Sequence, residues 1–200
     1  MGKNQSLTLP WPLILASTSK YRGSLLAQLG FPFESIAPGV DEDEFKDKGL
    51  SPSDLATKLS ALKARAVFLK RPDGCVIGSD QVCHVDGIIL GKPHSTEKAI
   101  DQLLSMQGKT HELLTAVTVI NPKGEETFLN RTVLKMRPLK KQSIENYVHL
   151  DSPLDCAGSY KLESGGIKLF ESIETQDHTA IIGLPLIELA NLLVKQGYTI

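Results

Sequence analysis

Residues 13–30 read LILASTSKYRGSLLAQLG, and the fold class turns on how this stretch is parsed. Residues 13–16 form a short apolar run of the kind that makes a buried strand. Ser17, Thr18 and Ser19 follow as a hydroxyl-rich turn. From Lys20 onward, Leu25, Leu26 and Leu29 recur at helical spacing, and Gly30 closes the helix because it can take the left-handed conformation. Strand, polar turn, helix is the opening unit of a layered α/β architecture.

Working outward, residues 33–37 read as a second strand ended by Pro38 and Gly39. Residues 40–48, VDEDEFKDK, read as an acidic loop. Ser51 or Ser53 caps a helix that has Pro52 in its first turn and reaches about residue 70. Residues 75–85, CVIGSDQVCHV, read as a strand, Asp86-Gly87 as a hairpin turn, and residues 88–90 as the return strand. Ser95 or Thr96 caps a helix to Met106, which Gly108 stops. Residues 111–120 and 127–136 read as paired strands, 143–150 as a short helix, 167–173 as a strand, and 185–196 as the closing helix. Strands and helices alternate around an antiparallel middle, which predicts an α/β or α+β fold with a mixed sheet. Residues 1–12 read as an N-terminal extension, with one domain from 13 to 200.

The composition narrows the function. A chain of 200 residues with 41% hydrophobic and 22% charged residues is ordinary for a globular protein. Its formal net charge of -1, with scattered basic residues, favours neither nucleic acid nor a membrane surface. Cys75, Cys83 and Cys156 form no CxxC pair, which speaks against zinc and disulfides and for a cytoplasmic setting. Met1-Gly2 with Ser6 formally matches an N-myristoylation pattern, but a pattern so short often arises by chance.

Several stretches carry chemistry, each with a plainer alternative. Ser17, Ser19 and Arg22 sit where a strand gives way to a helix N-terminus, a place that suits phosphate; a serine cap and a surface arginine explain them equally simply. Asp80, inside an apolar strand beside Gly78, reads as a general base or metal ligand, or as a structural carboxylate. Lys92, fixed by Pro93, is a phosphate point charge or a solvated turn lysine. Lys63 either faces inward from its helix or, as lysines usually do, faces solvent. Asp41, Glu42, Asp43 and Glu44 hold a divalent cation or form a solvated loop. Glu163, before Gly165 and Gly166, can reach a base pocket, while Ile182-Gly183-Leu184-Pro185 reads as a structural turn.

Taken in order, these stretches resemble the Maf family of nucleotide pyrophosphatases. The resemblance is carried by LILASTSKYR (13–22), VDE (40–42), LKAR (62–65), IGSDQV (77–82), GKP (91–93), AGSYKLESGG (157–166) and IIGLPL (181–186). It implies a fold of two lobes around a central cleft, related to that of the inosine triphosphate pyrophosphatases. It also implies hydrolysis of nucleoside triphosphates with a divalent metal, Mg²⁺ or Mn²⁺, and a possible homodimer. By the same resemblance the catalytic aspartate is Asp80, the phosphate-binding residues are Ser17, Arg22, Lys63 and Lys92, and Glu42 is the acidic loop residue. Ser19 joins the phosphate donors, and Glu42 with Asp80 are the expected metal ligands.

Subgroups of the family differ at three base-pocket positions, here Tyr21, Gln81 and Glu163. The glutamine and glutamate agree with the 7-methyl-GTP subgroup, and Tyr21 replaces its tryptophan with another aromatic. The chemistry agrees. An aromatic face attracts the cationic N7-methylguanine ring by roughly 0.5–2 kcal/mol. One carboxylate can accept both the N1–H and N2–H₂ donors of guanine. The expectation is therefore hydrolysis of 7-methyl-GTP to 7-methyl-GMP and pyrophosphate. The alternatives are a dTTP/UTP pyrophosphatase of the same family and a nucleotide-binding regulator of cell division.

Overall fold

The computed structural model describes residues 9–46 and 49–199. The N-myristoylation pattern at the start of the chain lies outside them. The opening unit forms as its sequence predicts: strand β1 (Leu13–Leu15), then helix α1 (Lys20–Ala27), with Ser19 as the N-cap whose side chain accepts from Arg22 N. Gly30 takes a left-handed φ of 75°. Strand β2 (Phe33–Ser35) and a short helix α2 (Asp43–Lys46) precede the long helix α3 (Pro52–Phe68). Ser51 caps α3, accepting from Asp54 N, with proline in the first turn where its missing N–H costs nothing.

Strand β3 (Cys75–Val85) and β4 (Ile88–Leu90) form a hairpin through Asp86 and Gly87, both at positive φ as a two-residue hairpin turn requires. Helix α4 (Thr96–Met106), capped by Ser95, leads to the long pair β5 (Thr110–Asn121) and β6 (Gly124–Met136). Helix α5 (Lys141–Asp151), a 3₁₀ turn (Gly165–Leu169), β7 (Phe170–Glu174), the short α6 (Thr179–Ile182) and α7 (Leu186–Lys195) complete the chain.

One mixed sheet runs in the order β2-β1-β3-β5-β6-β7, with β4 on β3. β1 is parallel to both β2 and β3, and the remaining pairs are antiparallel. β1 and the first half of β3 are buried on both faces, which is why they read as continuous apolar runs rather than alternating ones. One face packs on Leu186, Leu189, Leu192 and Leu193 of α7 together with Leu25 and Leu26 of α1. Ala64 and Val67 of α3 pack with Ile14, Val76 and Ile120 in a second cluster. Tyr198 Oη donates to the Trp11 carbonyl (2.8 Å), tying the chain upstream of β1 to its C-terminal end. No helix among the described residues is long and apolar enough to cross a membrane.

The structure departs from the sequence reading at four places. Residues 43–46 of the acidic stretch form a helical turn, where a loop was expected. The helix expected from Ser143 starts at Lys141 with no side-chain cap. Residues 165–169 wind into a 3₁₀ turn, so the strand expected over 167–173 begins only at Phe170. The turn of helix at Thr179–Ile182 has no counterpart in the reading, because four residues are too few to show a period.

α3 lies directly on the backbone of β3. A Cβ at Gly78 would fall 2.3 Å from Ser60 O and 2.6 Å from Ala64 N. Backbone atoms cannot swing aside, so Gly78→Ala must push α3 off the sheet. Overpacking of this kind costs about 3 kcal/mol, which lowers Tm by roughly 6–12 °C in a chain of this size. Thermal unfolding of Gly78→Ala checks this, and a Tm equal to wild type would refute the close approach.

Candidate active site

The close approach of α3 to Gly78 has a chemical consequence two residues along β3. Lys63, one residue before Ala64, is only 5% exposed, and its Nζ donates to Asp80 Oδ1 at 2.6 Å. The same ammonium lies 2.7 Å from Glu42 Oε1. The solvent-facing reading of Lys63 is thereby excluded. A lysine taken out of water needs acceptors of opposite charge, and the two carboxylates supply them.

The two carboxylates respond in opposite directions. Burial is the main influence on Asp80 and holds its pKa above the ordinary aspartate value, although Lys63 and Arg22 pull it down. Glu42, half exposed, is also pushed up by burial. Lys63, Lys92 and Arg22 outweigh that push and leave it below the ordinary glutamate value. Burial lowers the Arg22 guanidinium against the pull of Asp80 and Glu42. Its charge stays secure because an arginine titrates far above neutrality.

A cavity of about 680 Å³, within the range of small-ligand sites, opens beside this group. Ser17, Thr18, Ser19, Lys20, Tyr21 and Arg22 line it from the β1–α1 turn, and Glu42, Lys63 and Lys92 from neighbouring elements. Gln81, Ile181, Ile182, Asp155, Cys156, Tyr160 and Glu163 also line it. Every residue expected to bind phosphate or base thus lies on one cavity. Asp80 is not among the lining residues and is 5% exposed, bonded to Lys63, which does line the cavity.

The two serines are partly spoken for. Ser17 Oγ accepts from Ser19 N (3.1 Å), and Ser19 Oγ accepts from Arg22 N (3.4 Å), so Ser19 does serve as the cap. Arg22 is aimed by its Nε, which donates to Gly183 O at 2.9 Å. Ser79 Oγ donates to the same carbonyl. Gly183 takes a φ of 116°, so the turn expected to be merely structural also orients the arginine. Glu163 and Lys92 are exposed on the cavity lining, and Tyr21 and Gln81 are half-buried.

Three contributors escaped the sequence reading: Thr115, the Ala180 and Ile181 carbonyls, and the His111–Tyr160 pair. Gln81 Nε2 donates to Thr115 Oγ1 (3.0 Å), Ala180 O (2.8 Å) and Ile181 O (3.1 Å). His111 Nε2 bonds Tyr160 Oη at 3.0 Å, and burial pushes the imidazole pKa down to about 4, so it stays neutral. Only β-register could have revealed Thr115, which pairs with Gln81 across β3 and β5. Cys156 lines the cavity, but burial and Asp155 push its thiol up to about 12, which leaves it a poor nucleophile. Among the described residues, no group of three or more His, Cys, Asp or Glu is arranged to hold a metal ion.

The family model for Maf-like proteins matches residues 12–196. A relative from Bdellovibrio bacteriovorus, named 7-methyl-GTP pyrophosphatase, is 52% identical over 181 residues, covering 90% of this chain and 95% of its own. One of the same name from Pseudomonas aeruginosa is 44% identical over 190 residues, covering 94% and 98%. The Ham1 protein of Staphylococcus aureus shares the fold, with a TM-score of 0.53 over 92% of this chain and 98% of its own, at 15% identity. With the motifs in order along one cavity and a family model spanning nearly all of the sequence, the chain belongs to the Maf family.

Proposed function

We propose that the chain hydrolyses 7-methyl-GTP between its α- and β-phosphates, yielding 7-methyl-GMP and pyrophosphate. The observation that carries this reading is that one cavity is lined by two kinds of chemistry. Arg22, Lys63 and Lys92 gather beside Glu42, while Tyr21, Gln81 and Glu163 line the same cavity with an aromatic face and oxygen acceptors. The names of the relatives from Bdellovibrio and Pseudomonas support the same substrate.

The polyphosphate lies against the α1 N-terminus, whose free N–H groups and positive dipole end favour anions. Arg22, held at Gly183, offers its remaining guanidinium N–H groups to phosphate oxygens, and Lys92 adds a point charge. These cations stabilise the charge that grows on the leaving pyrophosphate. Asp80 orients a water and takes its proton as the water attacks the α-phosphorus. Lys63 holds Asp80 and Glu42 in place and limits the cost of their burial. Tyr21 stacks on the cationic base, and Glu163 accepts from its N1–H and N2–H₂.

The donor set suits a divalent cation that arrives with the substrate. Magnesium is typically held by one or two carboxylates, substrate phosphates and water, and Glu42 and Asp80 are the carboxylates that would hold it. Such an ion would supply further neutralisation of the triphosphate.

Pyrophosphate release from 7-methyl-GTP, GTP, dTTP, UTP and CTP at equal concentration with Mg²⁺ tests this. 7-Methyl-GTP should be preferred, and a preference for dTTP or UTP would defeat the base assignment. Asp80→Asn should lower kcat by about 10²–10⁴-fold while unfolding within a few degrees of wild type, since the amide keeps a bond to Lys63 and drops a buried charge. An Asp80→Asn protein that retains full turnover would remove Asp80 from the chemistry.

The pH profile follows from the raised pKa of Asp80. The deprotonated form is the active one, so kcat/KM falls as pH drops through that pKa. Its acid limb should therefore lie above the ordinary aspartate value of about 3.9. For stability the sign is reversed: a raised folded-state pKa favours the fold at low pH, and that contribution is lost as pH rises through it. An acid limb below the ordinary value would contradict the role given to Asp80.

A further inference from the structure

The Gln81 carboxamide has two faces, and the structure dictates which one meets a ligand. Ala180 O and Ile181 O are carbonyl oxygens, able only to accept, and both lie within hydrogen-bond distance of Gln81 Nε2. A flipped amide would set its oxygen against two other oxygens. The Thr115 hydroxyl completes the arrangement. It donates its single proton to Ala180 O at 3.0 Å, so toward Gln81 it can only accept. Both amide protons are thereby committed to the protein. Among the described residues no hydrogen bond engages Gln81 Oε1, and Gln81 lines the cavity.

We propose that Thr115 is a positioning residue for base choice. With the Ala180 and Ile181 carbonyls it locks Gln81 so that only the amide oxygen faces the bound base. This rests on the reading that the cavity takes a nucleoside triphosphate. Thr115 does not line the cavity and is 1% exposed, so it acts through Gln81 alone.

The lock changes what the pocket recognises. A free glutamine offers either a donor or an acceptor and tolerates many base edges. A locked one adds a second acceptor to the carboxylate of Glu163. An edge met only by acceptors must itself be made of donors. Guanine, with N1–H beside N2–H₂, presents adjacent donors. Uracil and thymine place a carbonyl on each side of their one N–H, and cytosine and adenine place a bare ring nitrogen beside their amine. Each of these would bury an oxygen or nitrogen lone pair against another, which disfavours binding more strongly than a missing contact does. The lock thus rejects wrong bases by repulsion, and the aromatic face of Tyr21 favours the methylated one by attraction.

The test compares Thr115→Val, which keeps the shape and removes the hydroxyl, with Thr115→Ser, which keeps the hydroxyl. In Thr115→Val, KM for 7-methyl-GTP should rise about 2- to 10-fold, the worth of one neutral hydrogen bond. kcat should stay within about twofold, and the preference for 7-methyl-GTP over UTP should narrow by a similar factor. Thr115→Ser should behave as wild type, and Thr115→Ala carries the same test should the valine protein prove unstable. An unchanged KM and preference in Thr115→Val would overturn the proposal. So would equal losses in the serine and valine proteins, which would show a packing effect. A wild-type enzyme that itself prefers UTP would overturn the base reading together with this proposal. That failure is seen before any variant is made.

Discussion

The site depends on one burial: the Lys63 ammonium enclosed between Asp80 and Glu42. Removing an ammonium from water costs several kcal/mol even after the protein relaxes. Two carboxylates at 2.6 and 2.7 Å offset that cost. The arrangement exists only because α3 rests on bare backbone at Gly78, which sets the position of Ala64 and with it Lys63. The result is an asymmetric acid pair. Asp80 is held above its ordinary pKa by burial, and Glu42 below it by three cations. Two carboxylates driven apart in this way suit different tasks, a base that can exchange a proton and a fixed charge that cannot.

The short turn Thr179–Ile182 and the glycine after it bond both Gln81 and Arg22, two residues that line the cavity. Ala180 and Ile181 lend their carbonyls to Gln81, and Gly183 lends its carbonyl to Arg22 and Ser79. One short stretch, Thr179 to Gly183, therefore orients the Gln81 amide and the Arg22 guanidinium together. It is held in turn by Asp177, which is 2% exposed and accepts from Thr179 N, Thr179 Oγ1 and Ile187 N. Thr179 Oγ1 accepts from Leu186 N, fixing where α7 starts. The α7 leucines then anchor the turn to the sheet through the core.

Much of this was legible in the sequence where local rules decide. β1 with α1, the β3–β4 hairpin, and the serine caps of α3 and α4 follow from apolar runs, Asp-Gly, and Ser before a helical period. The reading failed where distant residues decide. Lys63 looks like any lysine on a helix, because what buries it is a glycine fifteen positions on. The 3₁₀ turn at Gly165–Leu169 misled because the alternating apolar residues of 167–173 imitate a strand. In the structure Gly166 N instead bonds back to Lys161 O, a contact no local period reveals. Thr115 could be linked to Gln81 only through the register of β3 and β5, which is set across 34 residues of chain.

The charges on the cavity lining are unevenly distributed among its residues. Lys20, Arg22, Lys63 and Lys92 line the cavity against Glu42, with Asp80 bonded to Lys63. Four cations facing two carboxylates neutralise less than a triphosphate carries at neutral pH, which leaves room for a divalent ion to travel with the substrate. The segment around Glu163 has the opposite balance. Lys161 lies 3.4 Å from Asp155 and donates to Ser152 O, so its charge is already engaged, while Glu163 remains exposed on the cavity. A neutral base gains little from that surplus of negative charge. A ring with a fixed positive charge gains from it and from the Tyr21 face at once, and the Tyr21 attraction is independent of the hydrogen bonds that read its edge. On the proposed reading, charge favours the methylated ring while Gln81 and Glu163 read guanine.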